Sequence, residues 1–235
     1  MHLPSNEAPI CANCRKKAAV KRYVDKNFDE MVCAACFDRW TVHSAFEDKL
    51  IQLMTLEGQG QYDEALALLD EILEANRHLD HDGYLVRGIV NRRAFIFLDA
   101  QRYAEALEAC EAWAQLGFGD VSERWMHALR TAHILEPLGR DQEALDIIED
   151  ALGYQDPKYL PGVLGVLDEL VRFSNKLGKP VDPKWLKLAE AAAERYGVEM
   201  PLRDSPADAI LALEELTRGK QPKRRKKADE ESDEE

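Results

Sequence analysis

No stretch of this 235-residue chain approaches the roughly 20 consecutive apolar residues of a membrane span. Its apolar runs, such as Leu66-Ala67-Leu68-Leu69 and Ala191-Ala192-Ala193, are short and broken by charge. No transmembrane helix and no membrane partner are expected. The start, Met1-His2-Leu3-Pro4-Ser5-Asn6-Glu7, has no basic segment followed by an apolar one, so a secretory signal is not expected and a reducing, cytoplasmic setting is. A Gly-rich phosphate loop, a nucleophile elbow and a His-Glu-x-x-His motif are also missing, which removes the commonest sequence signatures of nucleotide, acyl-transfer and zinc-hydrolase chemistry. The pairs His78/His81 and His127/His133 lack the i, i+4 spacing that presents two imidazoles to one ion, and read as solvated or packed side chains. The expectation is a protein that is not an enzyme and has no small-molecule substrate.

What is present is 46% hydrophobic and 32% charged residues, enough to bury one large core or two modest ones. The net charge of -13 is unevenly placed. Residues 51–218 hold seventeen Lys/Arg against thirty-one Asp/Glu, whereas the segments before and after are nearly balanced. An acidic central body repels a phosphate backbone, so any nucleic-acid contact is expected at an end: through Arg15, Lys16, Lys17, Lys21 and Arg22, or through the basic tail.

Four of the five cysteines form Cys11-x2-Cys14-x18-Cys33-x2-Cys36, inside the spacing window of four-thiolate zinc sites. Each Cys-x-x-Cys lets one tight turn offer two sulfurs to a single ion, and two turns complete a tetrahedron. Between them, Val20, Tyr23 and Val24 have strand character, residues 25–29 have turn chemistry, and Glu30-Met31-Val32 can return as a second strand. Two disulfides, a thiol redox centre and a four-thiolate iron site compete with zinc. One structural zinc ion is the expected cofactor, since four thiolates leave no open position for a substrate. The order knuckle, hairpin, knuckle, helix over about residues 9–45 resembles zinc-ribbon and treble-clef fingers. That resemblance implies that Cys33 and Cys36 lie in the first turn of a helix; it fits docking of either nucleic acid or protein.

A second signal is internal repetition. Glu-Ala-Leu recurs at Glu64-Ala65-Leu66, Glu105-Ala106-Leu107 and Glu143-Ala144-Leu145, at intervals of 41 and 38 residues. Each copy follows a short turn and is preceded by another apolar-periodic segment. Gly60, Tyr62 and Ala65 mark the first turn, Tyr103 and Ala106 the second with Gln101 in the glycine's place, and Gly139 and Ala144 the third. These units are similar to tetratricopeptide repeats. The resemblance implies paired helices stacked in a superhelix, and small residues, here Ala94 and Ala132, that let the two helices of a pair approach closely. It also implies a protein- or peptide-binding groove lined by the first helix of each pair. Aligned on those alanines, the groove positions are Asn91 and Phe95, then Met126 and His133.

Beyond residue 153, Leu160 to Leu177 and Trp185 to Tyr196 keep helical spacing. Ser205 and Pro206 mark the start of a last helix and Gly219 its end. Trp40, Trp113, Trp125 and Trp185 are expected in the core, and Cys110 as a small buried hydrophobe. The expected organisation is a flexible start (1–8), a zinc finger (9–45), a tetratricopeptide-like helical domain with irregular C-terminal helices (46–218) and a disordered basic-then-acidic tail (219–235). The expected role is a non-catalytic protein-interaction adaptor. The alternative is a nucleic-acid-associated regulator whose finger contacts nucleic acid while the repeats recruit a protein.

Overall fold

The computed structural model describes residues 10–12, 17, 19–24, 29–80, 83–156, 159–201, 203–218 and 220. The expected flexible start, the hairpin turn at 25–28, Cys14, Arg15, Lys16, Gly219 and the tail beyond residue 220 lie outside them. The chain is mainly α-helical, with one two-stranded hairpin near its N-terminus. None of the described helices is long and apolar enough to cross a membrane. Two compact units divide it, Met1–Gly117 and Phe118–Glu235.

The first unit opens with strands β1 (Lys21–Val24) and β2 (Asp29–Val32), antiparallel, with Lys21 opposite Val32 and Tyr23 opposite Glu30. Helix α1 (Ala34–Gly58) follows at once. Residues 37–57 contain no glycine or proline, so nothing breaks the helix where the finger was expected to give way to the helical domain, and the boundary between residues 45 and 46 falls inside it. Helices α2 (Tyr62–Asn76), α3 (Tyr84–Asp99) and α4 (Tyr103–Leu116) complete the unit. Leu53, Leu69, Leu85, Ile89 and Ile96 form the centre of its helical core. The second unit holds α5 (Val121–Leu135), α6 (Asp141–Leu152), α7 (Val163–Lys176), α8 (Lys184–Tyr196) and α9 (Pro206–Thr217). The N-cap of α9 is Ser205, whose hydroxyl accepts from Asp208 N–H, with Pro206 in the first turn as the sequence signal required.

The three Glu-Ala-Leu copies share one local geometry. Gly60, Gln101 and Gly139 all sit in the left-handed region, at φ 71°, 58° and 70°. The next residue's N–H bonds back five positions in each case: Gln61 to Leu56 O at 2.9 Å, Arg102 to Phe97 O at 2.8 Å, and Arg140 to Leu135 O at 3.1 Å. This is the Schellman closure, which satisfies carbonyls left over at a helix end. The carbonyl of that same residue accepts the N–H of the motif alanine, from Ala65 at 3.0 Å, Ala106 at 3.0 Å and Ala144 at 3.1 Å. All three alanines are fully buried, as are Ala94 and Ala132, so no larger side chain fits without displacing a neighbour. Gly178 and Gly197 close α7 and α8 in the same way, with Lys179 N–H on Ser174 O and Val198 N–H on Ala193 O.

Candidate metal centre and partner surface

The hairpin and the start of α1 hold each other through aromatic packing. Tyr23 faces inward and stands edge-on to Phe37 and Trp40, with ring centroids 5.7 and 4.9 Å away, and its hydroxyl donates to Trp40 O at 3.2 Å. Val32 is buried beside them. Cys11 N–H donates to Lys17 O at 2.9 Å, and Ala12 N–H donates to Met31 O at 3.1 Å. Cys33 is the N-cap of α1 and Cys36 lies in its first turn. These constraints bring the sulfurs of Cys11, Cys33 and Cys36 within 4.8 Å of one another, all buried.

Sulfurs bound to one tetrahedral ion at about 2.3 Å stand roughly 3.8 Å apart, so small adjustments bring these three onto a metal. The first-turn N–H groups of α1 favour negative charge at Cys33 and Cys36. Three convergent thiols suit a soft or borderline transition metal and suit calcium or magnesium badly. The expected fourth ligand, Cys14, lies outside the described residues.

The expected cationic contacts are partly engaged within the protein. Arg22 makes two hydrogen bonds of 2.6 Å to Asp29. Lys21 pairs with Asp38 at 3.2 Å and lies over the Phe37 ring. Lys17 is exposed.

Of the expected groove residues, Asn91 and Phe95 lie on α3 in the first unit, Met126 and His133 on α5 in the second. Asn91 Oδ1 is buried with no hydrogen-bond partner among the described residues. The Phe95 ring lies 4.9 Å from the guanidinium of Arg92, which pairs with Glu57 of α1. Met126 is 43% exposed and borders a hollow of about 360 Å³, lined also by Ser122, Trp125, Leu129, Tyr159, Gly162 and Val166. His133 has a different neighbourhood: its Nε2 is 3.4 Å from Glu169. Glu169 belongs to a charged cluster in which Arg172 bridges it to Glu136 and Lys176 joins Glu136 to Asp141. Hydrogen bonding from Arg172, aided by Lys176, holds the Glu136 carboxyl down at about 2.

From the sequence, Trp125 is expected in the core rather than as a ligand platform. It is buried and donates through Nε1 to Ala151 O at 3.1 Å, yet its ring also lines the hollow. The i, i+4, i+7 spacing of Ser122, Met126 and Leu129 along α5 was the available signal. Trp113, Trp185 and Cys110 are buried as expected, and Trp40 packs partly buried against the cysteine cluster.

Fold and site together define a mainly helical protein with a hairpin-borne cysteine cluster able to hold a metal. No protein-family model, no curated protein and no solved structure matches the chain.

Proposed function

We propose that the protein is a non-catalytic, cytoplasmic adaptor: tetratricopeptide-like helical pairs, stacked as a superhelix, bind an apolar side chain of a protein or peptide partner, beside a finger organised by one structural zinc ion. The observation that carries the binding role is the open apolar hollow beside α5. Met126, a position chosen from the repeat register alone, borders it, and Trp125, Leu129 and Val166 supply the concave apolar lining typical of ligand sites. The thioether of Met126 adapts easily to different partner shapes. For the finger, the proposed ligands are Cys11, Cys14, Cys33 and Cys36, and zinc would hold the two knuckles and the start of α1 together. The nucleic-acid reading has less support, because Lys21 and Arg22 already have carboxylate partners within the finger.

A plug tests the adaptor reading. Gly162 has φ -76°, which any residue adopts, and an added Cβ would meet only the Trp125 ring edge at 3.9 Å. Gly162→Met therefore fills the hollow without backbone strain. Partners captured by the wild-type chain, once identified and purified, should bind the variant at least tenfold more weakly, with unchanged circular dichroism. Full binding by the plugged protein would remove the hollow from the partner surface.

A further inference from the structure

The hollow beside α5 is poor in hydrogen-bonding groups, and that limits the shape of what can enter it. Its apolar walls are Trp125, Met126 and Leu129 of α5 and Val166 of α7, helices whose interior N–H and C=O groups pair within themselves. The loop wall has little to add. Tyr159 N–H donates to Asp156 O at 2.9 Å, and Gly162 N–H donates to Tyr159 O at 2.8 Å. The side-chain donors are taken as well: the Tyr159 hydroxyl donates to Asp120 at 2.6 Å, and Trp125 Nε1 to Ala151 O at 3.1 Å. Ser122, in the first turn of α5, adds one hydroxyl and one N–H. Flanking charges are engaged too. At one end Asp120 also accepts Glu123 N–H, and Glu123 accepts Gly119 N–H; at the other, Glu169 holds Arg172 and faces His133.

Such walls suit some backbones and not others. From Ser122 to Leu129 the α5 wall runs roughly 10 Å, a distance that an extended segment covers with about three residues. Each non-proline residue carries one donor and one acceptor. Those turned toward the wall would lose water without gaining a partner, and this opposes binding. An α-helix has no such need, because its backbone groups pair internally. Size agrees with this. A cavity of roughly 150 Å³ holds one benzene ring, so a hollow of about 360 Å³ accommodates two large side chains. A helix offers two on one face at i and i+4, about 6 Å apart. We infer, building on the adaptor reading above, that the occupant is an amphipathic α-helix of the partner protein, seated by two apolar side chains one turn apart.

The test is selection of two phage-displayed libraries on the full-length protein. One displays alanine-, glutamate- and lysine-rich helices randomised at i, i+3, i+4 and i+7. The other displays random peptides with proline at every fourth position, which cannot form a helix. Both are counter-selected against Gly162→Met and against Met126→Lys, the latter at a position 43% exposed and so tolerant of a charge; thermal melting checks that each variant is folded. Binders lost to both variants should come from the helical library and gain helical circular dichroism on binding. At an outward-facing position in mid-peptide, α-aminoisobutyric acid should tighten them several-fold and proline should weaken them at least tenfold, although neither alters the contacting side chains. Hollow-dependent binders from the proline library, alone or at equal affinity, would overturn the helical occupant and leave the adaptor reading standing. Unchanged binding by the proline-substituted peptides would do the same. No hollow-dependent binder from either library would overturn both. A dimer of this chain that Met126→Lys dissolves would also overturn the inference, by making a second copy the occupant.

Discussion

Gln101 stands where the other two copies of the repeated turn have glycine, and this difference can be turned into a measured energy. At φ 58° its backbone is left-handed, a conformation that costs a residue with a Cβ about 1–2 kcal/mol. Replacing it with glycine removes that cost but adds unfolded-chain freedom worth about 0.5–1 kcal/mol. Gln101→Gly should therefore stabilise the first unit by about 0.5–1 kcal/mol. The side chain is exposed, so little packing is lost with it. The reciprocal changes are equally clean, because a Cβ at Gly60 or Gly139 would meet nothing within 4 Å. Gly60→Gln and Gly139→Gln should each destabilise by a similar amount through the backbone alone. Urea unfolding followed by circular dichroism at 222 nm measures this, fitted with separate transitions if the two units unfold separately. The expected result is a higher midpoint for Gln101→Gly and lower ones for the reciprocal variants, with unchanged slopes. A neutral or destabilising Gln101→Gly, alongside harmless changes at Gly60 and Gly139, would refute the claim that the three turns are one motif under one constraint.

The cysteine cluster makes a sharper demand. Wild-type protein prepared under reducing, chelator-free conditions should carry about one zinc per chain, and Cys33→Ser should lose it; no metal, or stoichiometric iron, would overturn the zinc assignment. Because α1 runs unbroken from the finger into the first helical core, the same substitution should fray its first turns and lower the helical signal slightly, leaving the rest folded. The acid limb of stability should depend on Glu136. A carboxyl held near 2 in the folded protein contributes stability above the ordinary carboxylate range and loses it as pH falls toward 2. Thermal melts of Glu136→Gln between pH 5 and pH 2 should show a shallower decline than wild type, and an identical decline would mean that Arg172 and Lys176 do not protect this group.

Those features were legible in the sequence to different degrees, for physical reasons. The hairpin and the start of α1 could be read because thiolate spacing, β-branched residues and a change of apolar period all coincide within thirty residues. The repeated turns could be read because a left-handed residue and a fully buried alanine leave little choice of side chain. Continuity of α1 was harder to see: a zinc finger suggests a separate module, and only the lack of any helix breaker before Gly58 argues otherwise. The pairing of His133 with Glu169 was not legible, since the partners lie 36 positions apart and the pair needs α5 and α7 to be docked. The hollow beside Met126 was half legible. Its α5 wall follows from helical periodicity, but Tyr159 and Gly162 reach it through a loop and a single 3₁₀ turn whose course no periodicity encodes.

Charge ties the repeated geometry to the proposed role. The helices that carry the Glu-Ala-Leu copies, α2, α4 and α6, hold five, three and five acidic residues and no basic one. Their thirteen acidic residues equal the chain's whole net charge of -13. The arginines are elsewhere: Arg87, Arg92 and Arg93 on α3, Arg124 and Arg130 on α5, Arg102 and Arg140 in the turns. Several reach across to the acidic helices, as Arg93 does to Asp70, Arg102 to Asp63 and Arg124 to Asp150 at 3.9 Å. Arg102 and Arg140 also pair with Glu105 and Glu143, the acids that open the second and third Glu-Ala-Leu copies. Exposed pairs like these add little stability, so their regularity is better explained by what they do to the surface. They leave α2 and α4 in the first unit, and α6 in the second, each with a solvated, self-repelling acidic surface that resists phosphate, while α3 and α5 carry more basic than acidic residues. Within the second unit, a partner of the proposed kind would be repelled by the acidic α6 and meet α5 instead, where the apolar hollow supplies the contact that charge alone cannot.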